Sequence, residues 1–132
     1  MDMESRNILK KHGPKRLINS FKYAIQGLVY AFKKEQNMLI HVIICITVIA
    51  LGILLKISYF EWLICFILFG LVMSTELINS AIEALVDLVS PNKHPLAKIA
   101  KDTASAAVFI FALVALVSGI FIFLPKILMF IK

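Results

Sequence analysis

The sequence predicts an all-α integral membrane protein with an N-terminal amphipathic surface helix and three transmembrane helices. Hydrophobic residues make up 61% of the 132-residue chain, against about 45–50% in soluble domains. Three apolar stretches are long enough to cross a bilayer as helices, and a basic amphipathic stretch precedes them. The length suits one domain, so residues 1–132 are expected to form a single membrane-embedded unit.

The N-terminal part of the chain has two sections. Residues 1–13 are rich in polar and charged side chains, and they are expected to be flexible. In residues 15–35, apolar side chains recur on one helical face from Leu17 to Phe32, and the basic side chains fall mainly elsewhere. A helix lying on the membrane surface fits this pattern better than a soluble helix, because the chain has no other soluble region to supply a core.

The three predicted spans cover residues 38–55, 60–89 and 103–124. Trp62 stands near the start of the second span, where an aromatic residue anchors a helix at the interface. That helix is about 45 Å long, whereas the hydrocarbon core is about 30 Å thick. Its acidic C-terminal end is therefore expected to project past the core. Pro125 and Lys126 are expected to end the third span.

The distribution of basic residues predicts the orientation. Eight of the 14 Lys and Arg residues precede position 35, one lies between the first two spans, three lie in the next connection and two in the tail. By the positive-inside rule, the N-terminus and the second connection are cytosolic. A basic start also suits nucleic acid, but here it precedes apolar spans. Attraction to anionic lipid is the better interpretation, and no nucleic-acid partner is expected.

A polar stripe interrupts the second span. At about 100° per residue, Glu76, Asn79, Glu83 and Asp87 fall within about 80° of one another on one helical face. An acidic side chain inside a membrane helix costs at least about 2.5 kcal/mol, so such residues generally have a function. We expect Glu76 to lie deepest, about 10 Å farther in than Glu83.

Three functions could use this stripe: a lipid-processing enzyme, an ion or proton pathway, and a helix for structural assembly. Carboxylates suit Mg²⁺ when phosphate oxygens complete its coordination, and the nearby Lys101 could neutralise phosphate charge. The deep Glu76 could accept a proton from an alcohol held at the interface. Because the acidic residues cluster in one third of the span beside basic residues, a phosphate site is favoured. No P-loop or protein-kinase motif is present in the sequence.

Residues 76–87 have the spacing Glu-x-x-Asn-[Ser/Thr]-Ala-x-Glu-x-x-x-Asp, and His94 and residues 100–108 follow it. This pattern resembles the signature of the prokaryotic diacylglycerol kinase family. The resemblance extends from Arg16 to the third span. Residues 37–41 and 57–62 are similar to the Gram-positive branch, many of whose members act as undecaprenol kinases.

This resemblance implies a lipid kinase of the bacterial plasma membrane that depends on ATP and Mg²⁺. It also implies a homotrimer with active sites shared between subunits and facing the cytosol. The expected reaction transfers the γ-phosphate to the primary hydroxyl of undecaprenol, giving undecaprenyl phosphate. One alternative is a diacylglycerol kinase that makes phosphatidic acid, and the non-enzyme alternative is a proton-conducting or structural membrane trimer.

The resemblance also implies roles for individual residues. Glu76 corresponds to the proton-accepting catalytic residue, Glu35 and Glu83 to Mg²⁺ ligands that also contact the nucleotide, and Asn79 and Asp87 to residues that support the site. Pro91-Asn92-Lys93 departs from the better-known members, and His94 agrees with them. The other expected nucleotide contacts are Arg16, Tyr23, Asn92, Lys93, His94, Lys101 and Asp102.

Several polar residues also have structural interpretations. Asp102 could cap the third span as part of an ordinary charged helix start. His41 is expected to be a buried or interfacial polar residue rather than a ligand, and Glu61 is expected to be solvated. Cys45 and Cys65 lie in apolar runs, and we expect packed, inert thiols.

Overall fold

A computed structural model describes residues 14–131, all in four helices and their connections. The helices are α1 (Pro14–Lys34), α2 (Gln36–Leu54), α3 (Tyr59–Val89) and α4 (Pro95–Ile131). This confirms the predicted class, with one N-terminal helix followed by three long apolar ones. The predicted flexible segment 1–13 and the last residue of the basic tail, Lys132, lie outside the described residues.

The chain divides into two compact units, Met1–Lys34 and Glu35–Lys132. The described part of the first unit is α1, a strongly amphipathic helix. Its large apolar side chains are exposed, including Leu17, Phe21 and Leu28. An exposed apolar face with basic residues elsewhere is what a helix in the plane of a bilayer requires, and the membrane-surface position of α1 stays a prediction.

The second unit contains three helices that are long and apolar enough to cross a membrane. At 1.5 Å per residue, α2 is about 28 Å long, α3 about 46 Å and α4 about 55 Å. A hydrocarbon core of about 30 Å therefore accommodates α2 and leaves parts of α3 and α4 outside it. Helix α3 packs mainly on α4 and to a smaller extent on α2.

The connection between α2 and α3 is tight and tied to the end of α4. Lys56 adopts a left-handed conformation with φ of 51° and reverses the chain after α2. Ser58 and Glu61 then form a capping box at the start of α3. Glu61 also forms an ion pair of 3.2 Å with Lys126 of α4, and both side chains are about three-quarters buried. The expectation of a solvated Glu61 is wrong, because α4 extends far enough to supply this partner.

A buried hydrophobic cluster lies next to this connection. Its centre is a buried cluster of four residues from the α2–α3 connection, α3 and α4, with six partly buried apolar side chains packed around it. Trp62 and Phe66 stack with ring centroids 5.7 Å apart. The four buried residues of this cluster are Ile57, Cys65, Ile122 and Phe123.

Helix α4 is longer at both ends than predicted. Pro125 lies inside the helix, so the expectation that it ends the third span is wrong. Proline is tolerated inside membrane helices when neighbours compensate for the lost backbone hydrogen bond. Here the side chains of Lys126 and Ile127 hold the continuing helix against α3 and the core cluster.

At its other end α4 begins at Pro95, a residue type favoured in the first helical turn. Asp102 therefore lies within the helix and does not cap it.

Gly52 is required for the close approach of α2 to Trp62. A Cβ atom at position 52 would lie 2.7 and 2.9 Å from two ring atoms of Trp62 and 3.0 Å from Cδ1 of Ile57, whereas a Cβ at Gly70 would meet nothing within 4 Å.

The Gly52→Ala substitution should therefore lower the free energy of unfolding by about 1–3 kcal/mol. The matched Gly70→Ala substitution should leave it unchanged or raise it by up to about 1 kcal/mol. Unfolding in detergent measures both, and equal effects of the two substitutions would contradict the tight Gly52–Trp62 contact.

Candidate active site

The polar stripe of α3 passes from fully buried to exposed along the helix. Glu76 is 1% exposed and Asn79 5% exposed, Glu83 is partly buried, and Asp87 is exposed. Glu76 and Glu83 are seven positions apart, which separates them by about 10 Å along the helix axis. Glu76 is thus the most enclosed carboxylate in the part of the chain that the structure describes.

The start of α2 supplies the environment of Glu76. His41, Glu35 and Glu83 are the charged or titratable groups that act on its carboxylate, and the side chain of Asn37 lies close to it. The Oε1 atom is buried and has no hydrogen-bond partner among the described residues. Because an unsatisfied buried polar atom is unfavourable, this oxygen is the natural acceptor for a hydroxyl brought to the site.

Asn79 connects the buried and exposed parts of the stripe. Its Nδ2 donates a hydrogen bond of 3.2 Å to Oε1 of Glu83, one helical turn further along α3. Its own Oδ1 is buried without a partner among the described side chains. Asn79 thus fixes one oxygen of Glu83 and leaves the other available for a ligand.

A second polar cluster lies at the connection between α3 and α4. Nζ of Lys101 is 2.6 Å from Oδ1 of Asp87, and Nζ of Lys98 is 2.5 Å from Oδ2 of Asp102. These residues line a cavity of about 650 Å³, within the range of small-molecule sites. The same cavity is lined by Asn92, Lys93 and His94.

His94 also positions the start of α4. Its Nδ1 accepts a hydrogen bond of 3.2 Å from the backbone N–H of Leu96, and its carbonyl accepts one from the N–H of Lys98. Before it, Oγ of Ser90 donates to the carbonyl oxygen of Asn92 at 3.1 Å. Because Nδ1 accepts, the proton of a neutral His94 ring lies on Nε2, which can donate to a ligand.

The two carboxylates predicted to bind a metal have the chemistry for Mg²⁺. Glu35 and Glu83 are each close enough to Glu76 to act on its charge. Among residues 14–131, no cluster of three or more His, Cys, Asp or Glu side chains could hold a metal. Mg²⁺ binds proteins through one or two carboxylates and takes its other ligands from phosphate and water. A pair of carboxylates fits that mode of binding.

The predicted site residues thus fall into three places. Glu35, Glu76, Asn79 and Glu83 form one group, and α1 carries Arg16 and Tyr23, seven residues apart and therefore on one helical face. Their nucleotide contacts stay predictions. The cavity at the α3–α4 connection brings together Asp87, Asn92, Lys93, His94, Lys101 and Asp102.

The sequence does not indicate three neighbours of the site as such. Asn37 lies close to the Glu76 carboxylate, and Lys98 belongs to α4, where it pairs with Asp102. His41 is partly buried, in keeping with the expected buried or interfacial position, and it also acts on the Glu76 carboxylate. Asn37 and His41 are four residues apart and share one face of α2, and this spacing could have indicated that they act together.

These features define a class of protein: a helical membrane protein with a buried carboxylate near two further carboxylates and a separate lysine-lined cavity at one helix connection. A model of the prokaryotic diacylglycerol kinase family matches residues 22–123. The chain belongs to this family, which confirms the resemblance seen in the sequence. It is therefore a membrane lipid kinase, and family membership implies a lipid substrate and ATP as the phosphate donor.

Relatives of this chain include an undecaprenol kinase and several diacylglycerol kinases. The chain is 42% identical over 111 residues to an undecaprenol kinase of Bacillus subtilis (strain 168), covering 84% of this chain and 90% of that protein. It is 40% identical over 113 residues to a diacylglycerol kinase of Synechocystis, covering 85% of this chain and 65% of that one. It is also 40% identical over 98 residues to a diacylglycerol kinase of Pseudomonas aeruginosa, covering 74% and 80% of the two chains.

Because Glu76 is buried, the free energy of unfolding of a Glu76 variant tests whether this residue stabilises the fold. A carboxylate with an unpartnered buried oxygen is held at a cost in folding free energy. The Glu76→Gln substitution should therefore leave the free energy of unfolding unchanged or raise it by about 1 kcal/mol. Unfolding in detergent measures the change. If Glu76 were instead a structural link between helices, the substitution would destabilise the protein.

Proposed function

We propose that this protein transfers the γ-phosphate of ATP to the primary hydroxyl of undecaprenol, giving undecaprenyl phosphate and ADP. The observation that carries the proposal is the Glu76 carboxylate, buried within a membrane helix with Oε1 unpartnered. The choice of lipid rests on the similarity to the Bacillus subtilis undecaprenol kinase, which covers most of both chains.

In the proposed reaction, Glu76 accepts the proton of the lipid hydroxyl. The hydroxyl oxygen forms a bond to the γ-phosphorus as the bond from that phosphorus to the bridging oxygen breaks, and ADP leaves. Exclusion of water around Glu76 strengthens its interaction with the hydroxyl and limits the loss of phosphate to water. His41 and Asn37 would hold the carboxylate in the orientation that the transfer requires.

The nucleotide would bind at the α3–α4 connection. Lys101 would exchange its exposed contact with Asp87 for phosphate oxygens, and Nε2 of His94 would donate to the nucleotide. Asn92, Lys93 and Asp102 line the same cavity, and Arg16 and Tyr23 of α1 are proposed as further contacts. Glu35 and Glu83 would hold Mg²⁺, which neutralises charge on the transferring phosphate.

Diacylglycerol is the second candidate substrate. The Synechocystis and Pseudomonas aeruginosa relatives are diacylglycerol kinases, and both lipids present a primary hydroxyl at the bilayer surface. The product would then be phosphatidic acid. The non-enzyme alternative, a proton-conducting or structural trimer, is disfavoured because the chain belongs to a kinase family.

We further propose that the active site faces the cytosol, where ATP is available. The excess of Lys and Arg before position 35 supports this orientation. We also propose a homotrimer with active sites shared between subunits, as the resemblance implied. Sharing would allow α1 of one subunit to contribute Arg16 and Tyr23 to the site of another.

The Glu76→Gln substitution tests the general base. It keeps the size of the side chain and removes its ability to accept the proton, so transfer of label from γ-labelled ATP to extracted lipid should fall by about 100-fold or more. Binding of ATP should be retained. The matched control is Glu61→Gln at the opposite end of the same helix, which loses the ion pair with Lys126 but should keep activity far above that of Glu76→Gln. Full lipid phosphorylation by Glu76→Gln would contradict the assignment.

The Glu83→Gln substitution tests the metal site. Loss of one anionic ligand should move the Mg²⁺ titration of activity to concentrations about tenfold higher or more. The Asn79→Leu substitution, which removes the hydrogen bond to Glu83, should give a smaller shift in the same direction. An unchanged Mg²⁺ titration for Glu83→Gln would remove this residue from the metal site.

A further inference from the structure

Lys98 is a cation of the α3–α4 connection to which the proposed reaction gives no role. It lines the same cavity as Lys93, His94 and Lys101. Its side chain is 77% exposed, and its Nζ lies 2.5 Å from Oδ2 of Asp102. The charge of Lys98 is therefore at the open rim of the cavity, where a ligand can reach it.

The stability of α4 does not account for a lysine at this position. Lys98 is the fourth residue of α4, whose first turn has no acidic residue, and a cation near a helix N-terminus opposes the helix dipole. A lysine that precedes its acidic partner by four residues is also the weaker of the two orders. Because an exposed ion pair adds little to stability, the charge suits a ligand better than it suits the fold.

Lys98 and Lys101 can reach the same anion. Residues three apart are adjacent on the surface of a helix, with Cβ atoms about 5–6 Å apart. Each of the two lysines is held by one largely exposed carboxylate, Lys98 by Asp102 and Lys101 by Asp87. Breaking such exposed pairs requires little free energy, so a ligand with several adjacent negative charges can replace both carboxylates.

The two lysines lie at different distances from the polar stripe of α3. Lys101 pairs with Asp87 at the exposed end of that stripe, and the Glu83 carboxylate acts on its charge. Lys98 precedes Lys101 by about 4.5 Å along α4, and its partner Asp102 belongs to α4 itself. The phosphate to be transferred has to lie on the stripe side. Lys101 is therefore nearer to that phosphate, and Lys98 is nearer to the phosphates that stay with the nucleotide.

We propose that Lys98 is a second phosphate contact of the nucleotide and that it binds the phosphate oxygens that remain in ADP. The proposal rests on the proposed function, because it deepens the nucleotide site of the same reaction. On binding, Nζ of Lys98 leaves Oδ2 of Asp102 for these oxygens, and the Asp102 carboxylate becomes free to contact the nucleotide elsewhere.

This position has a defined kinetic consequence. The phosphates that remain in ADP are bound before, during and after the transfer, so a contact with them stabilises bound ATP, the transition state and bound ADP alike. Loss of a contact of this kind raises KM without lowering kcat. A residue that stabilises the transferring phosphate in the transition state lowers kcat instead.

The test neutralises Lys98 and, as a matched control, Lys22, an exposed lysine of α1 with no assigned role. Lipid phosphorylation is measured against ATP concentration, and inhibition by ADP is measured in the same assay. Lys98→Gln should raise KM for ATP and the inhibition constant of ADP by the same factor, about fivefold or more, with kcat changed less than about twofold. Lys98→Arg should restore most of both constants, and Lys22→Gln should leave them unchanged.

A second comparison separates direct contact from simple neutralisation of Asp102. If Lys98 only neutralised that carboxylate, Lys98→Gln would have no further effect in a protein that already carries Asp102→Asn. Direct contact predicts that Lys98→Gln weakens ATP and ADP binding by about the same factor in that background. Absence of a further loss there would overturn the proposal.

The outcomes distinguish this proposal from the proposed function. If the unsubstituted protein phosphorylates no lipid, the proposed function fails, and direct measurement of ADP binding to the Lys98→Gln protein still tests the contact. If the unsubstituted protein phosphorylates lipid and Lys98→Gln changes neither constant, the contact is overturned. It is also overturned if Lys98→Gln lowers kcat and leaves KM for ATP unchanged.

A measurement on the unsubstituted protein decides the case if Lys98→Gln does not fold. Lysine amines are methylated with formaldehyde and a borohydride reductant, with and without Mg²⁺ and saturating ADP, and the modified sites are quantified by mass spectrometry. ADP should slow modification of Lys98 by about threefold or more, because the occupied site leaves little free amine, and should not protect Lys22. Equal modification of Lys98 with and without ADP would overturn the proposal.

Discussion

The structure depends on one constraint: a carboxylate must be kept inside a membrane helix. Water there is scarce, and an isolated charge is costly. Glu76 is enclosed at the level where α2 and α3 meet, with His41 and Asn37 beside it and one oxygen left without a partner. A lipid hydroxyl also resides at the bilayer surface, so a base for this substrate has to lie at the same depth. The buried position of Glu76, which is unfavourable for folding, is therefore the position that the proposed reaction requires.

The two ends of the bundle differ in how firmly they are held. At the α2–α3 connection, the core cluster, the Gly52–Trp62 contact and the partly buried Glu61–Lys126 pair fix the helices together. At the α3–α4 connection, the pairs formed by Lys98 and Lys101 are largely exposed. Exposed ion pairs contribute little to stability, so breaking the Lys101–Asp87 pair, as the proposed nucleotide binding requires, should not unfold the bundle.

The sequence predicted the helices and the polar stripe because both follow from local periodicity and from the cost of charge in a membrane. The ends of α4 were predicted wrongly, since the continuation through Pro125 depends on contacts with α3 that are distant in sequence. The roles of Asn37 and His41 were missed for a similar reason: they become apparent only when α2 is packed beside Glu76. An apolar cavity lined by α2, α3 and α4 depends on three helices at once, and no single stretch of sequence indicates it.

The central claim is that Glu76 takes a proton from the hydroxyl of undecaprenol. The most direct measurement reconstitutes the purified protein into vesicles containing equal amounts of undecaprenol and dioleoylglycerol, supplies Mg²⁺ and γ-labelled ATP, and separates the extracted lipids. Most of the label is expected to enter undecaprenyl phosphate, and vesicles with the Glu76→Gln protein should remain unlabelled. Label found mainly in phosphatidic acid, or unchanged labelling by the Glu76→Gln protein, would contradict it.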